Sequence, residues 1–377
     1  MTILLKIIAS VLIFLPLFAD GQQWSVDLKM LGAPGPSQPS RFASEIRDRD
    51  LKVAFTASNK VLVSYVLNKP DKSLLARNDD RVHVRLIALL LESATGKLIR
   101  RHEWEAEKPP TPEIARLPNG NFILLLDDDL EMLDDSFSVL RKKSLGLNWS
   151  SDPWRGYDVS VPVTGHFFAV TYYELLNKKR DVQIFDADTL DVADEWNSLE
   201  SSKTWIKPQL YADIVLSGVS ESAPPLIKTL GGTWQPFNPQ LPHTTPYFLT
   251  AKQFIASYSN PDEFNTWCWT ETDEKTILSN PVCYPKSDSF GRIVSSQNGS
   301  IIAVGIGRLT AWDAALDRYD KGRVVVYAEG SHRKLLTTSW KRGHEGESGG
   351  DFALSLDGSL LAVLNGEQLD IYRVPRQ

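Results

Sequence analysis

Short apolar runs broken by turn residues dominate this chain, with little helical spacing between them. Near the C-terminus, ALSLDGSLLAVLNGEQLDIYRVP (residues 353–375) sets two tight turns, Asp357-Gly358 and Asn365-Gly366, between three apolar runs. Asp-Gly and Asn-Gly supply the positive φ values of a two-residue hairpin turn. Three strands are expected there, Phe352–Leu356, Leu360–Leu364 and Gln368–Val374. The same shape recurs in SSQNGSIIAV (295–304), PVTGHFFAV (162–170) and ARLPNGNFILL (115–125). Each is an apolar approach, a turn closed by glycine, and an apolar run.

The spacing turns this shape into a repeat. Gly120 and Gly165 lie 45 residues apart, and Gly299 follows after 134, close to three such steps. LYADIVLSG around Ala212 and FLTAKQFIASYS around Lys252 fall where the missing steps belong, and FTASNKVLVSYVL around Asn59-Lys60 precedes them. With Gly358 this makes seven anchors, at 60, 120, 165, 212, 252, 299 and 358. Further strand-like runs follow most anchors, such as VQIFDADTL (182–190), VVVYAEGSH (324–332) and KLLTTSW (334–340). Four short strands in about 45 residues make one blade of a β-propeller. The expected fold is therefore all-β, a seven-bladed β-propeller over residues 22–377. A blade cannot bury both of its faces alone, so the chain should form one domain. The last blade shows only three strands, and an open sheet edge is a liability. WSVDLKM, Trp24–Met30, alternates Val26, Leu28 and Met30 and is expected to supply the fourth.

The residues LSLDGSLLAV, SSQNGSIIAV and the VVVY and DIY strands resemble the YVTN/WD40-like propeller superfamily, including the quinoprotein-dehydrogenase-like propellers. The resemblance covers about residues 45–377 and implies fold, not reaction. More loosely, the chain is similar to secreted propeller proteins of soil bacteria such as acidobacteria. It departs from the WD40 pattern in having Trp312-Asp313 inside the insertion RLTAWDAALDRYDKG (308–322) rather than at the end of a third strand.

The N-terminus changes the picture of where this ring works. MTILLKIIASVLIFLPLFADGQQW carries Lys6, an apolar run from Ile7 to Phe18, and small residues before a cut at Gln22. That pattern predicts a signal peptide over 1–21 and a secreted or periplasmic protein, an uncleaved membrane anchor being the alternative. The run is too short to span a bilayer core of about 30 Å, so no stable membrane span is expected after cleavage. In an exported chain, the two cysteines, Cys268 and Cys283, read as a disulfide, against two buried free thiols. The net charge of −6, with no Lys/Arg run, gives no footprint for nucleic acid.

Candidate chemistry is sparse. None of the six histidines sits in HExxH, and no GxSxG elbow, P-loop or CxxCH occurs. No catalytic residue, metal site or cofactor is therefore expected. Asp127-Asp128-Asp129 and Asp134-Asp135 read as acidic turns before they read as a calcium site. HEGESGGD (344–351) precedes the last blade's first strand, and His344 and Glu345 are candidates for binding near a central channel. Trp154-Arg155 and Trp312 are candidates for a partner surface, since Trp and Arg are common binding anchors. Asn148 and Asn298 lie in glycosylation-type triplets. The function expected is a non-catalytic binding or scaffold propeller for a protein, glycan or small molecule. The alternatives are a lactonase-type hydrolase drawing on His344, Glu345 and Arg155 at the channel, and a quinoprotein-like redox subunit, for which the chain shows no ligand set.

Overall fold

The computed structural model describes residues 21–32, 52–56, 59–68, 84–106, 112–146, 155–174, 179–197, 208–217, 226–237, 245–250, 252–259, 266–272, 281–285, 288–309, 319–329, 333–340, 351–365 and 368–375. They form seven antiparallel four-stranded sheets. Blade 1 spans 52–106, blade 2 113–144, blade 3 155–197, blade 4 209–236, blade 5 245–285 and blade 6 288–340. Blade 7 combines 351–373 with the N-terminal strand Gln22–Asp27. The first strands of blades 1 and 2, 2 and 3, 4 and 5, 6 and 7, and 7 and 1 touch one another, while blade 4's first strand touches the second strand of blade 3 and blade 6's first strand touches the third and fourth of blade 5, so the ring is closed.

The strands follow a gradient of polarity from the axis outward. Second strands are apolar on both faces: Phe122–Leu126 reads FILLL and Leu360–Asn365 reads LLAVLN, nearly all buried. Fourth strands such as Val139–Ser144, VLRKKS, are almost wholly exposed. A radial sheet meets a neighbour on each side, so its middle strands have no solvent face. The core divides accordingly into seven apolar clusters, each straddling one interface between consecutive blades. None lies within a single sheet, so every blade needs both neighbours.

Six of the seven anchors fall at the turn between a blade's first and second strands, and the seventh, Lys60, opens the second strand of blade 1. Gly120, Gly165, Gly299 and Gly358 adopt φ of 97°, 112°, 75° and 70° there, and Asn59 and Ala212 take the same left-handed region in blades 1 and 4. A Cβ on Gly358 would meet Ile301 Cγ1 of blade 6 at 2.7 Å, and one on Gly165 would meet Ala212 Cα of blade 4 at 2.6 Å. The repeat is thus a packing signature as much as a turn signature. Adjacent turns also bond one another, as in Gln297 N–H to Leu356 O at 2.8 Å and Ala212 N–H to Thr164 O at 3.1 Å.

The N-terminal strand pairs with Gln368–Arg373, Trp24 opposite Ile371 and Val26 opposite Leu369. It ends earlier than the alternation suggested. At Asp27 the side chain accepts from Lys29 N–H at 2.9 Å, and a 3-10 turn, Leu28–Leu31, follows. That turn buries Leu28 completely and leaves Met30 84% exposed. Cys268 and Cys283 sit directly opposite each other on neighbouring strands of blade 5, with sulphurs 2.00 Å apart. Among the described residues no helix is long and apolar enough to cross a membrane.

Candidate functional site

The seven first strands surround a cavity of about 860 Å³ along the ring axis. A first strand is a sheet edge, so its outward backbone groups need partners other than a fifth strand. Side chains of the preceding blade provide several. Asp351 of blade 7 accepts from Val53 N–H of blade 1 at 2.8 Å. Glu113 of blade 2 accepts from Val159 N–H of blade 3 at 3.1 Å and also takes the Lys52 ammonium of blade 1 at 2.5 Å. Ser160 of blade 3 donates to Pro208 O of blade 4 at 2.6 Å. From blade 7 round to blade 4, each first strand is tied to the next through a side chain.

These residues occupy matching places. Thr56, Leu117 and Ser355 each close their blade's first turn with a backbone N–H. Lys52, Glu113 and Asp351 each lie four residues before them. Sequence reasoning missed this layer, although aligning the blades on their turns exposes it as a charge opening each of three inner strands.

Arg116 also lines the cavity but has a different environment. Its Nε and Nη2 are buried, and neither has a hydrogen-bond partner. Burial alone pulls its pKa down to about 10, which still leaves it charged near neutrality. It stands immediately before the turn-closing residue, where blades 1, 5 and 7 carry Phe55, Phe248 and Leu354. Glu113 is three residues away on the same strand, hence on the opposite face and about 10 Å along at about 3.3 Å per residue.

Most of the residues singled out from sequence fall outside what the structure describes. Trp154, Trp312, His344 and Glu345 lie outside the described residues. Arg155 opens the first strand of blade 3, its backbone opposite Glu174, and its side chain is outside the description. Asn148 is outside it as well, whereas Asn298 Oδ1 is engaged by Ser296 Oγ at 2.9 Å, Ser300 N–H at 3.2 Å and Ser300 Oγ at 2.8 Å. Asp134 does the same work in its own turn, accepting from Ser136 Oγ at 2.7 Å, Ser138 N–H at 2.9 Å and Ser136 N–H at 2.7 Å, and these bonds, the Ser136 hydroxyl's foremost, hold its carboxyl below the usual range. Asp129 pairs with Lys142 at 2.8 Å. Among the described residues no cluster of three or more His, Cys, Asp or Glu could hold a metal.

No protein-family model matches the chain, and no curated protein matches it. Solved structures do. A chain of the mitotic checkpoint complex aligns with TM-score 0.53 at 11% identity, over 95% of this chain and 96% of that one. The Pan2 WD40 domain of Neurospora crassa aligns with TM-score 0.52 at 8% identity, over 94% and 95%. The Cps50 (Swd1) β-propeller domain of Myceliophteria thermophila gives 0.50 at 9% identity, over 90% and 99%. At such identities the likeness is one of fold: a seven-bladed propeller with WD40-like neighbours.

Proposed function

We propose that this ring is an exported, non-catalytic binding platform rather than a hydrolase. One observation carries the reading: among the described residues, the two carboxylates that line the channel, Glu113 and Asp351, are held by the next blade's backbone amides, and Glu113 also by Lys52. A general base must reach a substrate proton, and a carboxylate fixing the geometry of the ring is badly placed to do so. Propellers with this architecture commonly present a face or channel to a partner, and the WD40 neighbours favour the same use. The signal-like N-terminus and the paired cysteines support a site of action outside the cytoplasm. The test joins affinity capture from the exported fraction with a screen of lactones and esters on the purified chain. Specific capture without turnover is expected, and turnover that co-purifies with the protein overturns the reading.

A further inference from the structure

The geometry points to the central channel as a binding site for a small organic anion, an oxyanion group on an apolar body, with Arg116 as its charge partner. This rests on the platform reading and narrows it to a ligand class. Three observations converge. The cavity, about 860 Å³, is of the size that holds a small molecule. Its wall includes Phe55, Val161, Tyr247, Phe248 and Leu354, which suit an apolar body. Arg116 lines the same cavity, and its Nε and Nη2 are buried without a partner.

Buried guanidinium nitrogens without a partner are costly, and a turn of the Arg116 side chain toward the cavity would let an anion pair with them. The other charges of the cavity do not fill that role. Glu113 is bound to Lys52 and Val159, and Asp351 to Val53, at the far end of the inner strands. The guanidinium fork matches the two oxygens of a carboxylate or the oxygens of a phosphate ester. Equivalent positions in three other blades are apolar, so folding alone does not call for an arginine here.

Benzoate, hexanoate, phenyl phosphate, inorganic phosphate and the neutral control benzyl alcohol would be titrated into the full folded chain by calorimetry. At least one organic anion should bind, and benzyl alcohol should not bind comparably. Arg116→Met should weaken that binding roughly 10- to 100-fold, the worth of a charge-assisted contact. Without ligand the variant should unfold at the same denaturant concentration as the parent or higher, because two buried nitrogens without partners have gone. Should Arg116→Met fail to fold, a crystal of the parent soaked in 4-bromobenzoate gives an independent reading, with bromine density in the channel and the carboxylate on Arg116. Binding of no anion, binding of inorganic phosphate alone, equal binding of benzyl alcohol, or anion binding unchanged in Arg116→Met each overturns the proposal. None of these results bears on partner capture or turnover, so the platform reading stands or falls separately.

Discussion

Ala212 occupies a turn position that glycine fills in four other blades. Its φ of 51° costs an L-residue roughly 1 kcal/mol, and a glycine there would lose part of the gain to its greater unfolded-state freedom. Ala212→Gly should therefore stabilise the ring by about 0.5 kcal/mol, read as a higher urea midpoint with an unchanged slope. A lower midpoint would mean that the methyl group packs where the backbone argument sees only strain. A second residue-scale feature joins blades 3 and 4. Lys228 reaches Asp194 at 2.6 Å and lies 4.5 Å from the Trp196 ring centroid and 4.9 Å from that of Trp234. Burial pushes the Asp194 carboxyl up, but Lys228 and the Gly231 amide outweigh it and hold it below the usual value. The native state then binds that proton less tightly than the unfolded chain. Its contribution is fully present above the unfolded carboxylate pKa near 4 and is lost as pH falls through the lower native value. Asp134 and Asp186 are depressed as well and add to the same trend. Stability measured from pH 6 down should fall below about pH 4, and Asp194→Asn should be less stable at pH 6 with a shallower fall. A parallel pH curve in the variant would remove Asp194 from the account.

At the scale of the element, the N-terminal strand does more than cover an edge. The Trp24 indole, 8% exposed, donates to Ser93 O of blade 1 at 2.6 Å, so one side chain joins blade 7 to its neighbour. Gly96 makes room, since a Cβ there would sit 2.8 Å from the ring. Trp24→Ala should cost about 3–5 kcal/mol, in line with large-to-small changes in a core, and Trp24→Phe less, losing mainly the hydrogen bond. Chemical denaturation of both variants checks the order, and equal losses would reduce the hydrogen bond to an incidental contact. The strand's end was the part that its letters obscured. Alternation through Leu28 and Met30 fits a strand, but the Asp27 carboxylate on Lys29 N–H starts a 3-10 turn instead. Local side chain–backbone bonds of this kind compete with a sheet ladder and leave no trace in hydrophobic periodicity. Blade 4 was faint for a related reason. Its fourth strand is only Gln235–Pro236, and its turn uses Ala212 in place of glycine. The blades with Asn-Gly or Asp-Gly turns were plain from sequence, because there the backbone demand and the close approach of a neighbour select the same residue.

At the scale of the molecule, ring count and closure were legible because they depend on turns spaced along the chain, and turns have strong letters. The channel was not. Its lining comes from one short strand per blade, and Lys52, Glu113, Arg116 and Asp351 stand far apart in sequence until the ring gathers them. Closure carries the last prediction. Gly21 O accepts from Arg373 N–H at 2.8 Å, and Gln22 Nε2 donates to the buried Asp370 at 3.0 Å. A chain beginning at residue 33 would bare the edge of Gln368–Arg373, take one partner from Asp370, and strip Trp24 and Leu28 from the cluster between blades 7 and 1. An unpaired apolar edge is a template for other chains, so this truncated protein should scatter light at concentrations where the full ring is monodisperse. A synthetic peptide of residues 21–32 should bind it and suppress the scattering, while the same peptide with Trp24→Ala should do so poorly. If the truncated chain stays monodisperse and ignores the peptide, the remaining three strands of blade 7 hold the ring without help, and closure through the N-terminus is ornamental.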